Sequence, residues 1–308
     1  MPATLSVGIE VAGDGIGDEP PVRGVAGLAH RLESAGVHYW VIGADRTEPL
    51  DTSTLDASLV ATVAARRSTR LGLVVAASVH RDHPYNLARR LMSVDHAAPG
   101  RVGWFALDAD RRIGLNAVAD TWTGATLGPA HTAAAIEAVR TLWRTWPYAS
   151  LVGDRATGVF ADAAQIRRAD VHGAYRITGP LNVPGSPHGD PPVWQWAGAA
   201  TANADVIVVE DGEPVPDGAV IRLRSVDHAA LDRVAATPGA RGVLLRVTPD
   251  SLTAVLDDVV ASAQRRGVLA TPSAGTLRQR LRLPAPAGPD LSTHRRAFDG
   301  SPNAGARL

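Results

Sequence analysis

The sequence predicts an α/β chain folded as one (β/α)8 TIM-type barrel, and three observations carry that prediction. Eight short apolar runs lack the in-out alternation of a half-solvated sheet, the pattern of parallel strands buried on both faces. Helical patterns fall between many of these runs. The 308 residues, 45% of them hydrophobic, suit a single barrel and furnish a large core.

The predicted strands are residues 4–12, 38–43, 70–77, 101–107, 193–198, 205–209, 219–223 and 241–247. A helix over 22–35 ends at Gly36, a natural stop signal. A second, over 54–67, follows an Asp/Thr/Ser cluster suited to capping its free N–H groups. Helices over 85–98 and 131–146 stop at Pro99-Gly100 and Pro147, and Thr248-Pro249 opens one over 250–266. Two stretches break the regularity. Residues 108–192 are too many for one crossover helix, so an excursion is expected between strands four and five, with a hairpin or turn near 171–177. Strands five and six are separated only by 199–204, short of the dozen or so residues a parallel crossover needs, so the barrel is expected to be irregular there. Residues 1–283 read as one barrel domain. Residues 284–308 read as a tail rich in Pro, Gly and Ala that wraps the surface or is partly disordered.

Composition narrows the function. Formal net charge is zero and every basic residue is Arg, which offers no electrostatic footprint for nucleic acid or an anionic membrane. With no Cys there are no disulfides, thiolates or Cys-ligated metals. The first residues carry neither a basic segment nor an apolar run, and no stretch has the length of a membrane span, so a cytoplasmic location is expected. No metal site is expected either: His80 and His83 lack an evident third ligand. Gly13-Asp14-Gly15-Ile16-Gly17 has acidic neighbours and no helix directly after it, unlike a phosphate loop. Ser186, His188 and Asp190 lie side by side in sequence without the elbow of a nucleophilic triad.

Four ordered segments carry a more specific signal. They are His83-Pro84-Tyr85-Asn86-Leu87-Ala88-Arg89 running on to Gly100-Arg101-Val102-Gly103-Trp104; Leu142-Trp143-Arg144-Thr145-Trp146; His172-Gly173-Ala174-Tyr175 with Gly179-Pro180-Leu181 and Ser186-Pro187-His188-Gly189; and Gln264-Arg265-Arg266-Gly267 with Gly275-Thr276-Leu277-Arg278. Together they resemble the bacterial-luciferase-like flavin monooxygenases, in the branch of the nitrilotriacetate and dibenzothiophene-sulfone monooxygenases. The resemblance implies a two-component enzyme: a separate flavin reductase supplies reduced flavin mononucleotide (FMN), and the barrel uses it with oxygen to oxidise a small organic substrate. It also implies a flavin at the C-terminal end of the strands and a homodimer paired through helices beside the early strands.

The site departs from the family more than the scaffold does. Where the family continues Asn-x-Val-Thr-Ser after the Trp, this chain has Phe105-Ala106-Leu107-Asp108-Ala109. The family's Gln-Ala-Gly-x-Ser becomes Trp196-Ala197-Gly198-Ala199-Ala200, and the helix start that cradles the phosphate falls in the short gap. Two readings therefore stand. One is the FMN-dependent monooxygenase. The other is a degenerate barrel, without flavin, serving as a binding, regulatory or subunit protein. Candidate cofactor contacts are Asp45, Ser78, Tyr85, Asp108 and Trp196. Ser78 matches a family Ser near the flavin ring, and Trp196, if it points into the mouth, fills volume a flavin needs. The catalytic residues are unknown, with His131 and His172 as acid–base candidates by residue type alone. Asp95, His96 and Arg101 straddle a helix end and read as structural.

Overall fold

The computed structural model describes residues 4–13, 21–44, 55–110, 118–198, 203–286 and 288–298. Strands β1 (Ser6–Val11), β2 (Tyr39–Ile42), β3 (Gly72–Ala77) and β4 (Val102–Ala106) run parallel and side by side. Two small antiparallel hairpins follow, β5 (Leu151–Asp154) with β6 (Val159–Ala161) and β7 (Val171–His172) with β8 (Arg176–Ile177). The parallel order then resumes with β9 (Val193–Trp196), β10 (Val206–Glu210), β11 (Ala219–Leu223) and β12 (Ala240–Val247), and β12 pairs back onto β1 to close an eight-stranded barrel. All eight predicted strands are present, and the β7–β8 hairpin sits where 171–177 is expected to turn.

The outer helices form where caps and apolar faces agree. Helix α1 (Pro21–Ser34) ends before Gly36, whose φ of 70° is the left-handed conformation glycine adopts without cost. The Asp56 carboxylate accepts from the amides of Ser58 and Leu59 to open α2 (Ala57–Ala65). Prolines start α3 (Pro84–Ala97) and α4 (Pro129–Arg144), where a missing N–H is harmless. Asp227 caps α5 (His228–Ala236), an element the strand-and-helix pattern of the sequence does not single out. A reciprocal Thr248–Ser251 cap opens α6 (Pro249–Ala254), which continues through a π-helical stretch, Val255–Val260, into α7 (Ala261–Arg265).

Two barrel connections lack a regular helix among the described residues. Residues 197–205 join β9 to β10, and most of the short gap expected to be irregular, 199–202, lies outside the described residues. Residues 211–218 join β10 to β11, so the irregularity extends one connection further than expected. That linker reads Asp-Gly-Glu-Pro-Val-Pro-Asp-Gly, with Gly212 and Gly218 at positive φ, and a helix cannot propagate through it. The tail beyond residue 283 lies against the excursion as far as Phe298. Arg168 N–H donates to Arg295 O, Ala297 N–H donates to Ile166 O, and Leu291 is buried.

One apolar core fills the space between strands and helices; a second fills the barrel. Inside, Tyr39 and Trp194 meet with ring centroids 5.4 Å apart, surrounded by Val74, Val208, Val220 and Leu244. At the N-terminal end of the strands, Leu277 of α8 (Leu277–Arg280) and the adjoining Leu281 and Leu283 complete this core. The large rings fit because β4 carries Gly103, where a Cβ would overlap the Trp194 ring. Gly103→Ala is therefore expected to destabilise the fold by about 1–3 kcal/mol through overpacking. Denaturant titration checks this, and an unchanged midpoint would count against a tightly filled interior.

Candidate functional site

A (β/α)8 barrel presents its chemistry at the C-terminal ends of the strands, and here those ends converge on a charged cluster. Glu10 of β1, Glu210 of β10, Arg222 of β11 and Arg246 of β12 meet there. The Arg222 guanidinium forks onto Glu10, donating from Nε at 2.9 Å and Nη2 at 2.6 Å. Its remaining nitrogen donates to Glu210 at 2.7 Å. Arg246 donates to the same Glu10 oxygen at 2.6 Å, and Arg224 reaches Glu210 at 3.0 Å from the rim. Glu10 is 1% and Arg222 2% exposed. Trp196 lies under Arg222, 5.3 Å from ring centroid to guanidinium carbon, and packs against Phe105 at a tilt of 43° with centroids 5.2 Å apart.

The electrostatics follow from that pairing. Burial alone would lower the Arg222 pKa, but Glu10 and Glu210 outweigh it and raise the value above the ordinary one. Burial would raise Glu210, yet hydrogen bonds from Arg224 and Arg222 hold its carboxyl below the usual range. Each Arg222 nitrogen already donates to a carboxylate, so its charge is matched within the protein.

A second polar cluster sits beside β3 and β4, where the excursion folds over α3. His131 Nε2, Tyr175 OH and Asp120 Oδ2 lie within 2.7–2.8 Å of one another. The other Asp120 oxygen accepts from the amides of Trp122 and Thr123. Burial works to raise the Asp120 pKa, but His131, Tyr175 and the two amides outweigh it and depress the value. The Tyr175 hydroxyl is pushed far up, first by burial and then by the Asp120 charge. The cluster joins the 118–127 loop, the start of α4 and the β7–β8 hairpin, so it ties the excursion down. A depressed carboxylate contributes stability at neutral pH that is lost as pH falls below the unfolded-state value through the folded one. Acid denaturation of Asp120→Asn should accordingly show a weaker pH dependence between roughly pH 5 and 2 than the wild type. Identical slopes would remove this assignment.

The candidate residues from sequence distribute as follows. Ser78 is buried at the end of β3, its Oγ 2.7 Å from His80 Nδ1. The cavity beside Ser78 measures about 10 Å³, at the lower limit for a single water. Tyr85 is half-buried and donates its hydroxyl proton to Pro180 O at 3.2 Å. Half-buried Asp108 accepts from the Thr132 hydroxyl at 2.5 Å. Trp196 is in the charged end layer, His131 is in the Asp120–Tyr175 cluster, and His172 is exposed on β7 away from both. Asp45 lies outside the described residues. Sequence reasoning missed Glu10, Glu210, Arg222 and Arg246. A usable signal existed, because each charge sits near the C-terminal end of a predicted apolar strand. No group of three metal-ligating side chains occurs among the described residues.

The described residues do not fit a flavin. Between the strand ends, the layer an isoalloxazine ring would enter is occupied by Trp196, Phe105 and the Glu10–Arg222–Arg246 group.

A closed ring of eight parallel strands with helices outside and its polar groups gathered at the C-terminal end defines the class, an α/β (β/α)8 barrel. Residues 1–215 match the family described as luciferase-like monooxygenase, and the chain belongs to that family. It is 39% identical over 145 residues to the dibenzothiophene-sulfone monooxygenase of Rhodococcus erythropolis, a match covering 45% of this chain but only 31% of that protein's length. It is 31% identical over 243 residues to one of the subunits of pristinamycin IIA synthase from Streptomyces pristinaespiralis, covering 77% of this chain and 78% of that one. Among solved structures, the EDTA monooxygenase of Chelativorans sp. BNC1 superposes with a TM-score of 0.65 at 16% identity, covering 92% of this chain and 100% of that one. DmoA from Hyphomicrobium sulfonivorans gives 0.66 at 14% identity, covering 91% of each chain. At these identities the two structures speak for the fold. No helix among the described residues is long and apolar enough to cross a membrane.

Proposed function

We propose that this chain serves a cytoplasmic reduced-FMN monooxygenase system as a subunit that does not itself hold the flavin. One observation carries the reading: the Glu10–Arg222–Arg246 group, with Trp196 and Phe105, fills the barrel end where the family's cofactor would lie. The relative matched over most of both chains is itself one part of a multi-subunit synthase, which agrees with this assignment. The oxidation of a small organic substrate then belongs to a second luciferase-like chain, which a flavin reductase supplies with reduced FMN. The pairing face expected from the family lies beside the early strands, and α1 and α2 expose Val22 (63%) and Leu59 (64%) there.

A second reading, that the chain is the flavin-dependent monooxygenase, is favoured by the grouping of Ser78–His80 and His131–Asp120–Tyr175 near that barrel end. Absorbance spectra of the purified protein, before and after adding FMN and desalting, separate the two. A colourless protein that retains no flavin supports the subunit reading; a retained flavin spectrum supports the enzyme. Light scattering of the isolated chain reports whether it pairs with itself.

A further inference from the structure

The opposite end of the barrel holds an arginine with nothing to bind. Arg280 ends α8 and is 7% exposed, yet none of its three guanidinium nitrogens has a hydrogen-bond acceptor among the described residues. Among the described residues, each of the other buried arginines has at least one acceptor. Arg101 donates to Ser68 Oγ, Leu71 O and Ala65 O; Arg140 and Arg278 reach Asp205; Arg222 forks onto Glu10. A buried cation without an acceptor is costly, and such a group is retained where something else supplies the charge.

The surroundings say what that something is. Arg280 borders a cavity of about 510 Å³ at the N-terminal ends of β1, β2, β11 and β12. Ser6 lines the same cavity, and its buried hydroxyl also lacks a partner among the described residues. His38 lines it too. Its Nδ1 accepts from Val7 N–H at 3.3 Å, which leaves Nε2 as the N–H donor of the neutral ring. Arg241 and Arg282 add positive charge to the wall against one carboxylate, Asp217. Glu33, the acid whose charge reaches Arg280 from outside the cavity, directs its Oε1 to the amides of Thr69, Arg70 and Leu71 and makes no hydrogen bond to Arg280.

We propose that this cavity is a binding site for a small oxyanion, held in the fork of Arg280 with Ser6 and His38 as further donors. A guanidinium matches phosphate or carboxylate oxygens two at a time, which neither a lone water nor chloride reproduces. The site is on the far side of the barrel from the charged end layer, so an occupant would brace α8 against β1 and β2. His38 supplies a reporter: burial and the Arg280 charge hold its pKa down to about 4, and an anion seated between the two would raise it.

The probes are inorganic phosphate and acetate, each against sodium chloride at equal ionic strength. In phosphate the wild-type melting temperature should climb with the logarithm of concentration, the 31P signal should broaden, and the His38 ring resonances should titrate at higher pH. Arg280→Gln should bind phosphate at least about tenfold more weakly and lose the melting-temperature response. An acetate response as large as that of phosphate would assign the site to carboxylates as well; a response to phosphate alone would restrict it to tetrahedral oxyanions. If neither anion moves the wild type beyond chloride, or if Arg280→Gln keeps the full response, ordered water satisfies the guanidinium and the proposal is overturned. The 31P and His38 measurements on the wild type decide the matter even if the variant does not fold.

Discussion

The purified chain is expected to be colourless and to bind free FMN at least about two orders of magnitude more weakly than flavin-holding relatives. Space is the first reason: Trp196, Phe105 and the Glu10–Arg222–Arg246 group occupy the layer between the strand ends. Charge is the second. A phosphate wants an unmatched cation, and each Arg222 nitrogen already donates to Glu10 or Glu210. Each charge-assisted contact that FMN fails to make forfeits about 1.5–3 kcal/mol, and about 1.4 kcal/mol is tenfold in affinity. Two missing contacts suffice for the expected loss. Trp196→Gln would open volume beneath Arg222 without freeing its guanidinium, so that variant alone should not restore binding. Titration calorimetry with oxidised and photoreduced FMN tests this. Micromolar or tighter binding to the wild type would overturn it and put the enzyme reading ahead.

Glu10→Gln is expected to destabilise the fold by about 3–5 kcal/mol, the cost of removing one partner from a buried ion group. Glu10 is the shared acceptor for Arg222 and Arg246, and the substitution leaves both facing a neutral amide at 1% exposure. Exposed pairs elsewhere give a useful contrast. Arg266 and Asp232 are 2.9 Å apart on the surface, and Asp232→Asn should cost less than about 1 kcal/mol. Adding Arg222→Met to Glu10→Gln should recover part of the loss, because a buried cation left with Glu210 as its one remaining carboxylate goes with it. Urea midpoints measure all three. A Glu10→Gln cost no greater than that of Asp232→Asn would mean that water reaches the cluster and that the barrel end is open.

The fold is legible in the sequence because each strand is bounded locally and apolar throughout, as β3 (Gly-Leu-Val-Val-Ala-Ala) illustrates. The gap after β9 is legible from chain length alone. The linker after β10, residues 211–218, is also short of the dozen or so residues a parallel crossover needs, and Pro214 and Pro216 forbid a helix there as well. The candidate site is much less readable. Glu10 and Arg222 stand 212 positions apart, and no local pattern says that they share a bidentate bond. Asp120 is similar: it lies in an irregular loop, and only the approach of the β7–β8 hairpin makes it the acceptor for His131 and Tyr175. Tyr175 itself falls within a family motif, so its position is readable before its role.

The Glu10–Arg222–Arg246 group also bears on how the chain is made. Glu10 leaves the ribosome more than two hundred residues before Arg222, and β1 pairs with β12 only once the last strand has emerged. Until then a growing chain carries β1 as an unpaired sheet edge, with a carboxylate on the face that will turn inward. Such an edge invites pairing with a neighbouring chain, and contacts this distant in sequence form slowly. A charge facing into the unfinished barrel makes stray pairing of that edge costly, because a foreign strand would have to bury Glu10 without its arginines. The residue that locks the finished barrel thus also guards the unfinished one during synthesis.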